Sequence, residues 1–476
     1  MQIDDRTDQG RPAGTDRAAA VRDVLARMRA DNVHMVDLKF TDLAGAWQHL
    51  GLSARSLAAL EEGVGFDGSS IRGFQAIDES DMLLIPDPST AVFDPFHEQR
   101  TLSLVCDVID PMTREPYSRD PRHIAQKAER HLAASGIADT CYIGPEAEFY
   151  IFDDVSFEQS ANAASYAVES VEARWNGGRR QQGYFLAPPA DAHGDLRARM
   201  VTTLEEMGIS CEVHHHEVGS AGQAEINVRF ATLLRMADRL QMQKYVVRNV
   251  AHRAGKSATF MPKPLFEENG SGMHVHQSLF RDGGNIMHDP DGVAPLSREG
   301  LHYVGGLLRH GRALMALCAP STNSYRRLVP GYEAPVTLAY SRRNRSAAVR
   351  IPMYSAAAEA KRVEFRPPDP TANPYLAFSA LMMAGLDGIQ NEIDPGLPLD
   401  VDLFELSDAE LAEFTQVPAS LEDALEALEA DHEFLLAGGV FTDDLIAAWI
   451  DLKRRSEAEP VRLRPHPWEF ALYYGC

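Results

Sequence analysis

Cysteine is scarce in this chain. Five occur in 476 residues (Cys106, Cys141, Cys211, Cys318 and Cys476), with no Cys-x-x-Cys pair among them. An odd number without paired spacing argues against a disulfide framework or a zinc–thiolate motif and fits free thiols in a reducing compartment. Positive charge is also short: 46 Lys and Arg stand against 69 Asp and Glu, a formal net charge of -23. An acidic surface of that size argues against general nucleic-acid or anionic-membrane binding, which need excess Lys and Arg. No run reaches the ~18 apolar residues of a bilayer span. Residues 1–14 are polar and hold no apolar signal core. The expectation is a cytoplasmic protein with no nucleic-acid or membrane partner. Internal repeats, long low-complexity tracts, a Walker A pattern and a protein-kinase signature are missing too. Any ATP site must therefore build its own positive field from metals and arginines.

Hydrophobic residues make up 45% and charged residues 24%, which is ordinary for a globular protein. At about 150 residues per domain, the length suggests two or three domains. Residues 1–15 read as a flexible tail. The spacing predicts helices over 17–30, 121–134, 236–254 and 303–319, and strands over 34–40, 102–108 and 141–152. Residues 110–121, rich in Pro and Asp, read as a linker, 393–403 as an exposed loop, and 407–452 as mostly helical and acidic. The order predicts an α+β fold. A small N-terminal β-rich domain (16–112) precedes a larger catalytic α/β domain (113–476).

Several strands carry charge on one face only. Side chains alternate along a strand, so residues i and i+2 share a face. In Glu146-Ala147-Glu148-Phe149-Tyr150-Ile151 both glutamates share one face, against Ala147, Phe149 and Ile151. His274 and His276 share a face in Met273-His274-Val275-His276. So do Arg362, Glu364 and Arg366 in Arg362-Val363-Glu364-Phe365-Arg366. Glu217 follows the triplet His214-His215-His216, with Glu225 further on. Each run alone is more often a solvated strand face or a surface ladder. Four in one chain point to a cavity lined by Glu, His and Arg. Such a cavity needs counter-ions, because buried like charges are costly unless paired or metal-bound. Carboxylates with one or two imidazoles suit Mg²⁺ or Mn²⁺ rather than a sulfur-bound zinc.

Two further runs add phosphate chemistry. Asn269-Gly270-Ser271-Gly272 directly precedes the His-x-His strand, and glycine allows close backbone approach to a ligand. Ser341-Arg342-Arg343-Asn344-Arg345-Ser346, followed by Arg350, concentrates guanidinium groups that match phosphoryl and carboxylate oxygens. Gly331-Tyr332-Glu333-Ala334-Pro335 reads as a gated loop with one acidic residue at its tip.

In this order, these blocks resemble the type I glutamine synthetases, in a form similar to the actinobacterial enzymes of the subtype regulated by adenylylation. The likeness runs from about residue 35 to the C-terminus. It includes Phe66-Asp67-Gly68-Ser69-Ser70, Gly222-Gln223-Ala224-Glu225 and Leu328-Val329-Pro330-Gly331-Tyr332-Glu333 besides the runs above. The resemblance implies a β-grasp-like N-terminal domain and at least two Mg²⁺ or Mn²⁺ ions per site. Glu148, Glu217 and Glu225 would hold one metal, and Glu146, His274 and Glu364 the other. Asn269, Gly270, Arg327 and Arg366 would grip glutamate, with Glu333 closing over it. Phe230, His276, Ser278, Arg345, Arg350 and Arg362 would serve ATP, and Arg345 would act in catalysis. Asp67 and Ser70 from a neighbouring subunit would complete an ammonium site with Tyr184. A dodecamer of two hexameric rings, with active sites between subunits, is implied as well. The activity implied is ligation of ammonium to glutamate through a γ-glutamyl phosphate.

Three departures stand out. Phe404, in Asp402-Leu403-Phe404-Glu405-Leu406, occupies the place of the tyrosine that receives AMP. The segment before Gly183-Tyr184 is short, and Gln181-Gln182 replaces a basic, Gly-rich lead-in. Glu359 stands where a nucleotide-proximal lysine is usual. Three other functions share parts of this pattern: a γ-glutamyl-amine ligase for a larger amine, a non-catalytic regulatory oligomer, and a guanidino phosphotransferase. Retention of Asp67, Ser70 and Tyr184 argues against the first, and a full set of candidate ligands against the second.

Overall fold

The computed structural model describes residues 17–55, 59–74, 80–330, 334–342, 344, 346–400 and 414–476. The proposed tail 1–15, Glu333, Arg345 and Phe404 lie outside the described residues. Among the described residues, no helix is long and apolar enough to cross a membrane.

The first helix, Arg17–Ala30, buries Val21, Val24 and Met28, an i, i+3, i+7 stripe on one side. Among the described residues, a six-stranded sheet follows. Its strands are β1 (Met35–Thr41), β2 (Trp47–Ser53), β3 (Val64–Asp67), β4 (Asp81–Pro86), β5 (Val92–Asp94) and β6 (Thr101–Ile109). The order is β2-β1-β6-β4-β3, with β5 added to β6. β1 and β6 run parallel at the centre and are buried on both faces. β3 is an edge strand and delivers Asp67 to an exposed turn.

The helix after the linker shows why its ends fall where they do. Asp120 caps it, accepting the Arg122 N–H at 3.0 Å, Pro121 opens it, and Gly136 closes it at φ 71. It spans Pro121–Ser135.

Among the described residues, the second sheet has ten strands. They are β7 (Thr140–Phe152), β10 (Cys211–His216), β11 (Gln223–Val228), β12 (Ala231–Thr232), β13 (Ser257–Thr259), β14 (Met273–Arg281), β15 (Gly284–Asn285), β16 (Thr337–Ser341), β17 (Ala347–Arg350) and β18 (Val363–Phe365). The main path is β10-β11-β7-β14-β18-β17-β16. A separate hairpin, β8 (Asp154–Gln159) with β9 (Ala164–Glu169), projects beside it. Ala147, Phe149, Ile151, Val275, Val363 and Phe365 are fully buried on the sheet's apolar back. Helices Pro121–Ser135 and Leu233–Arg253 pack against β7. Pro374–Gln390, apolar almost all round, lies buried among the helices.

The long helix predicted over 303–319 is two helices, Arg298–Arg309 and Gly311–Cys318. The break falls at His310, whose ring bridges Asp387 (2.9 Å) and Asp431 (2.9 Å) and stacks on Phe434. In the predicted acidic helical region, the described part forms Leu421–Ala430, Glu433–Leu436 and Asp443–Lys453.

Among the described residues, the main hydrophobic core runs through both sheets, and a small second cluster holds Tyr150, Phe152, Ala221 and Leu265. Ion pairs tie them as well. Arg122 is buried and binds Asp238 with two nitrogens, each at 3.0 Å, along with Asp87 (2.9 Å) and Asp107 (2.5 Å) from the first sheet's side.

Candidate active site

Register turns the one-sided strands into a single lining. Glu148 on β7 lies opposite Glu225 on β11, and Glu225 lies opposite His215 on β10. Two positions earlier on β7, Glu146 is opposite His274 on β14. His276 is then opposite Glu364 on β18, and Glu364 opposite Arg350 on β17. Six adjacent strands therefore present ionisable groups to one side.

The two ends of this row differ in charge. At the first, His215, Glu217 and Glu225 each offer a ligand atom within 4.8 Å of the others. His215 Nδ1 is 3.4 Å from Glu217, and its Nε2 is 3.6 Å from Glu225. Glu148 belongs to the same group electrostatically. Burial, then the Glu225 charge, pushes its carboxyl up to about 8. Burial, then Glu148 and Glu225, does the same to Glu217. Acids that resist ionisation because they crowd one another fit a bound divalent cation. Glu148 Oε2 is oriented by the Gln223 amide (2.9 Å) and the Gly272 N–H (3.0 Å).

At the second end, Glu146, His274 and Glu364 form another group within 4.8 Å. Burial works to raise the Glu146 carboxyl, but His276 and His274 more than offset it and hold it well below the carboxylate range. Glu364 is fully buried and also depressed, because His276, Arg366, His274 and Arg350 outweigh its burial. Arg350 donates Nε to Glu364 at 2.6 Å, and Arg366 binds the other carboxylate oxygen. Burial, then Arg366, lowers His274 to about 4. Its ring is thus the neutral imidazole a metal requires. Arg362 donates Nε to His276 Nδ1 at 3.2 Å. The His276 Nε2 lies 2.9 Å from Glu146.

Around this row, the other candidates take defined places. Tyr184 is half exposed and stacks on Phe185 at 4.1 Å, and both rings stand edge-on to His215. Asn269 and Gly270 meet the first end: Tyr150 OH donates to the Asn269 carbonyl, and Gln223 to that of Gly270. Arg327 is buried and turned to the backbone, donating to the carbonyls of Arg366, Pro367 and Pro368. The glycines are needed for space. A Cβ on Gly270 would come 2.6 Å from the Pro262 carbonyl, and one on Gly272 would come 2.5 Å from Arg327. Phe230 stands edge-on to Tyr142, 5.4 Å between centroids, with Ser278 paired opposite Tyr142 across β7 and β14. Glu359 is exposed on a short turn, Ala358–Ala360. Lys361, two residues on, is buried and donates to the Ala294 carbonyl at 3.1 Å.

Asp67 and Ser70 are exposed. The Asp67 carboxylate accepts from Ser69 and Ser70 inside its own turn, and these hydrogen bonds hold it below its usual range. A third acidic group, Asp37, Asp94 and His97, is already closed by a cation. Lys39 Nζ lies 2.5 Å from Asp37 and 3.0 Å from Asp94.

Comparison with known proteins decides the family. The model described as the glutamine synthetase catalytic domain matches residues 118–473, and the one described as its beta-Grasp domain matches 32–111. The chain belongs to the glutamine synthetase family. It is 56% identical over 466 residues to the glutamine synthetase of Frankia alni, covering 95% of this chain and 98% of that one. It is 54% identical over 469 residues to that of Mycobacterium tuberculosis, with the same coverage. Among solved structures, the Plasmodium falciparum glutamine synthetase determined by cryo-EM is 27% identical with a TM-score of 0.88, over 97% of this chain and 99% of that one. GmaS in complex with ADP is 31% identical with a TM-score of 0.82, over 95% and 99%. The family uses ATP and divalent metal ions. The α+β fold with an N-terminal β-grasp domain stands as expected.

Sequence reasoning gave no site role to His215, Phe185, Gln223 and Glu268, although His215 and Gln223 lie in runs it singled out. His215 had a signal, since it shares the i, i+2 spacing with Glu217 that singled out Glu146 and Glu148. Gln223 had the same signal, two residues before Glu225 on β11, whereas Glu268 and the Phe185–His215 ring contact depend on segments brought together by the fold.

Proposed function

We propose that this glutamine synthetase joins ammonium to the γ-carboxylate of L-glutamate, with ATP as phosphoryl donor and γ-glutamyl phosphate as intermediate. The products are glutamine, ADP and phosphate. One observation supports this most strongly: the charge division along a single sheet face. The Glu148–Glu217–Glu225 end is acid-rich, and the Glu146–His274–Glu364 end is flanked by Arg350, Arg362 and Arg366. The first suits a cation and an amine, the second a transferring phosphoryl group.

Glu148, Glu217 and Glu225, with His215 beside them, would hold one Mg²⁺ or Mn²⁺, and Glu146, His274 and Glu364 the other. Bound there, the ions would supply Lewis-acid neutralisation of phosphoryl oxygens. Arg350 and Arg345 would offset charge on the γ-phosphoryl group, while Arg362 fixes the His276 ring. Phe230 and Ser278 would border the nucleotide. Asn269, Gly270 and Arg366 would grip glutamate, and Arg327 would brace the Arg366–Pro368 backbone behind it. Tyr184 would form one wall of the ammonium pocket. Asp67 and Ser70, exposed on an edge strand, would reach it from the neighbouring subunit of a dodecamer of two hexameric rings. Asp67 would then take the ammonium proton. Glu333 would close over the acyl phosphate and exclude water.

The test is phosphate release from ATP with glutamate and Mg²⁺ or Mn²⁺. Ammonium is compared with methylamine, ethanolamine and a polyamine, and the product is identified by mass. A strong preference for ammonium with glutamine as product is expected. Turnover with a larger amine alone would overturn the substrate assignment.

A further inference from the structure

Three segments with different proposed tasks meet at one buried carboxylate that no step above uses. Glu268 is fully buried and directly precedes Asn269-Gly270. Its Oε2 accepts the backbone N–H of Ser220 at 2.9 Å and that of Gln181 at 3.2 Å. Ser220 lies in the turn between Glu217 and Glu225. Its hydroxyl donates to the Arg179 carbonyl at 2.7 Å and accepts the Gln182 N–H at 3.0 Å. The Gly183 N–H then binds the Val218 carbonyl at 2.9 Å, and Tyr184 follows. A Cβ on Gly183 would come 2.3 Å from the Glu217 carbonyl, so the loop lies tight against the strand end.

The rest of the Glu268 environment fits a fixed anchor. Its Oε1 faces Arg180 at 3.8 Å, and that guanidinium lies 3.5 Å above the Trp175 ring. Its own carbonyl accepts the Lys263 ammonium. Gln181 holds a left-handed backbone, φ 56, which a non-glycine residue adopts only when its partners hold it there. A buried carboxylate is costly unless its oxygens are used. Here Oε2 connects the 179–184 loop, the Ser220 turn and residues 268–270, while Oε1 makes no hydrogen bond among the described residues and has the Arg180 charge beside it.

We propose that Glu268 is a positioning residue that locks the Tyr184 loop to the Asn269–Gly270 segment, so that one carboxylate sets the ammonium and glutamate sites together. This rests on the functional reading above. The hydrogen-bond partners of its carboxylate lie in 181 and 220, and neither is on β17 or β18, which carry Arg350 and Glu364. The segment it anchors runs on into β14, but the carboxylate's own hydrogen bonds hold 181 and 220, so its loss should disturb the ammonium and glutamate sites more than the ATP end.

Steady-state kinetics on the full-length chain tests this with Glu268→Ala, Glu268→Gln and Glu268→Asp, each checked for its melting temperature. In Glu268→Ala, KM for ammonium and for glutamate should rise roughly tenfold while KM for ATP stays within about twofold. Glu268→Gln keeps an oxygen able to accept both N–H groups and should recover most of the loss. Should Glu268→Ala not fold, Glu268→Asp carries the test, because its shorter side chain withdraws from both donors and should give the same split. Unchanged KM values, or all three rising together, would overturn the proposal. The wild-type assay separates the two ideas. Absence of glutamine synthesis there overturns the functional reading, whereas normal synthesis with unaffected variants overturns the role of Glu268 alone.

Discussion

Glu225 lies directly opposite Glu148 across the β7–β11 pair, so two buried carboxylates share one patch of sheet. The protonation of this patch should govern metal-dependent stability. Glu148 and Glu217 are raised from 4.5 to about 8. Their contribution to the metal-free fold is fully present below the unfolded value and is lost as pH rises through about 8. A divalent cation works the other way, since it binds the ionised acids. The rise in melting temperature on replacing EDTA with Mg²⁺ or Mn²⁺ should be small near about pH 5.5 and larger near about pH 8.5. Thermal shifts across that range check it, and a pH-independent shift would place the ion elsewhere.

Gly270→Ala should disable glutamate binding. The added methyl would meet the Pro262 carbonyl at 2.6 Å and Arg327 Cγ at 2.7 Å, and a backbone oxygen yields little. A stability loss of about 1–3 kcal/mol is expected from overpacking, with KM for glutamate up by roughly tenfold or more. Urea unfolding and glutamate titration measure the two effects.

Arg122→Ala should weaken the union of the two sheets. It removes one guanidinium from Asp87, Asp107 and Asp238, leaving buried carboxylates without their cation. Breaking such a group costs about 3–5 kcal/mol. Denaturant unfolding should show that loss, and a near-neutral result would mean that water replaces the arginine.

The chain should escape adenylylation at position 404, because phenylalanine has no hydroxyl to accept AMP. Incubated with an adenylyltransferase from an actinobacterium and ATP, the intact protein should keep its mass, whereas Phe404→Tyr should gain AMP. Modification of the unaltered chain on a neighbouring residue would defeat the wider claim.

Much of the site was legible because a strand has a period of two. Glu146 with Glu148, and His274 with His276, had to share faces once their segments were strands. The helix after the linker was legible too: its spacing predicts 121–134, and the structure gives Pro121–Ser135. The break at His310 was not: helical spacing runs through it, and its ring contacts with Asp387 and Asp431 join residues far along the chain. The contacts of Arg327 with the carbonyls of 366–368 were likewise not legible, because they join residues about forty positions apart.

By itself, then, the sequence determined which residues could form a metal- and phosphate-binding surface, because side-chain alternation and charge type are local properties. The tertiary structure alone decided which of them became neighbours. Strand order and register, set by the packing of the apolar backs, place Glu148 opposite Glu225 and His276 opposite Glu364. Burial then divides the row into an acid-crowded end and a guanidinium-flanked end. That division depends on desolvation and on distances between residues far apart in the chain, and no local pattern encodes either.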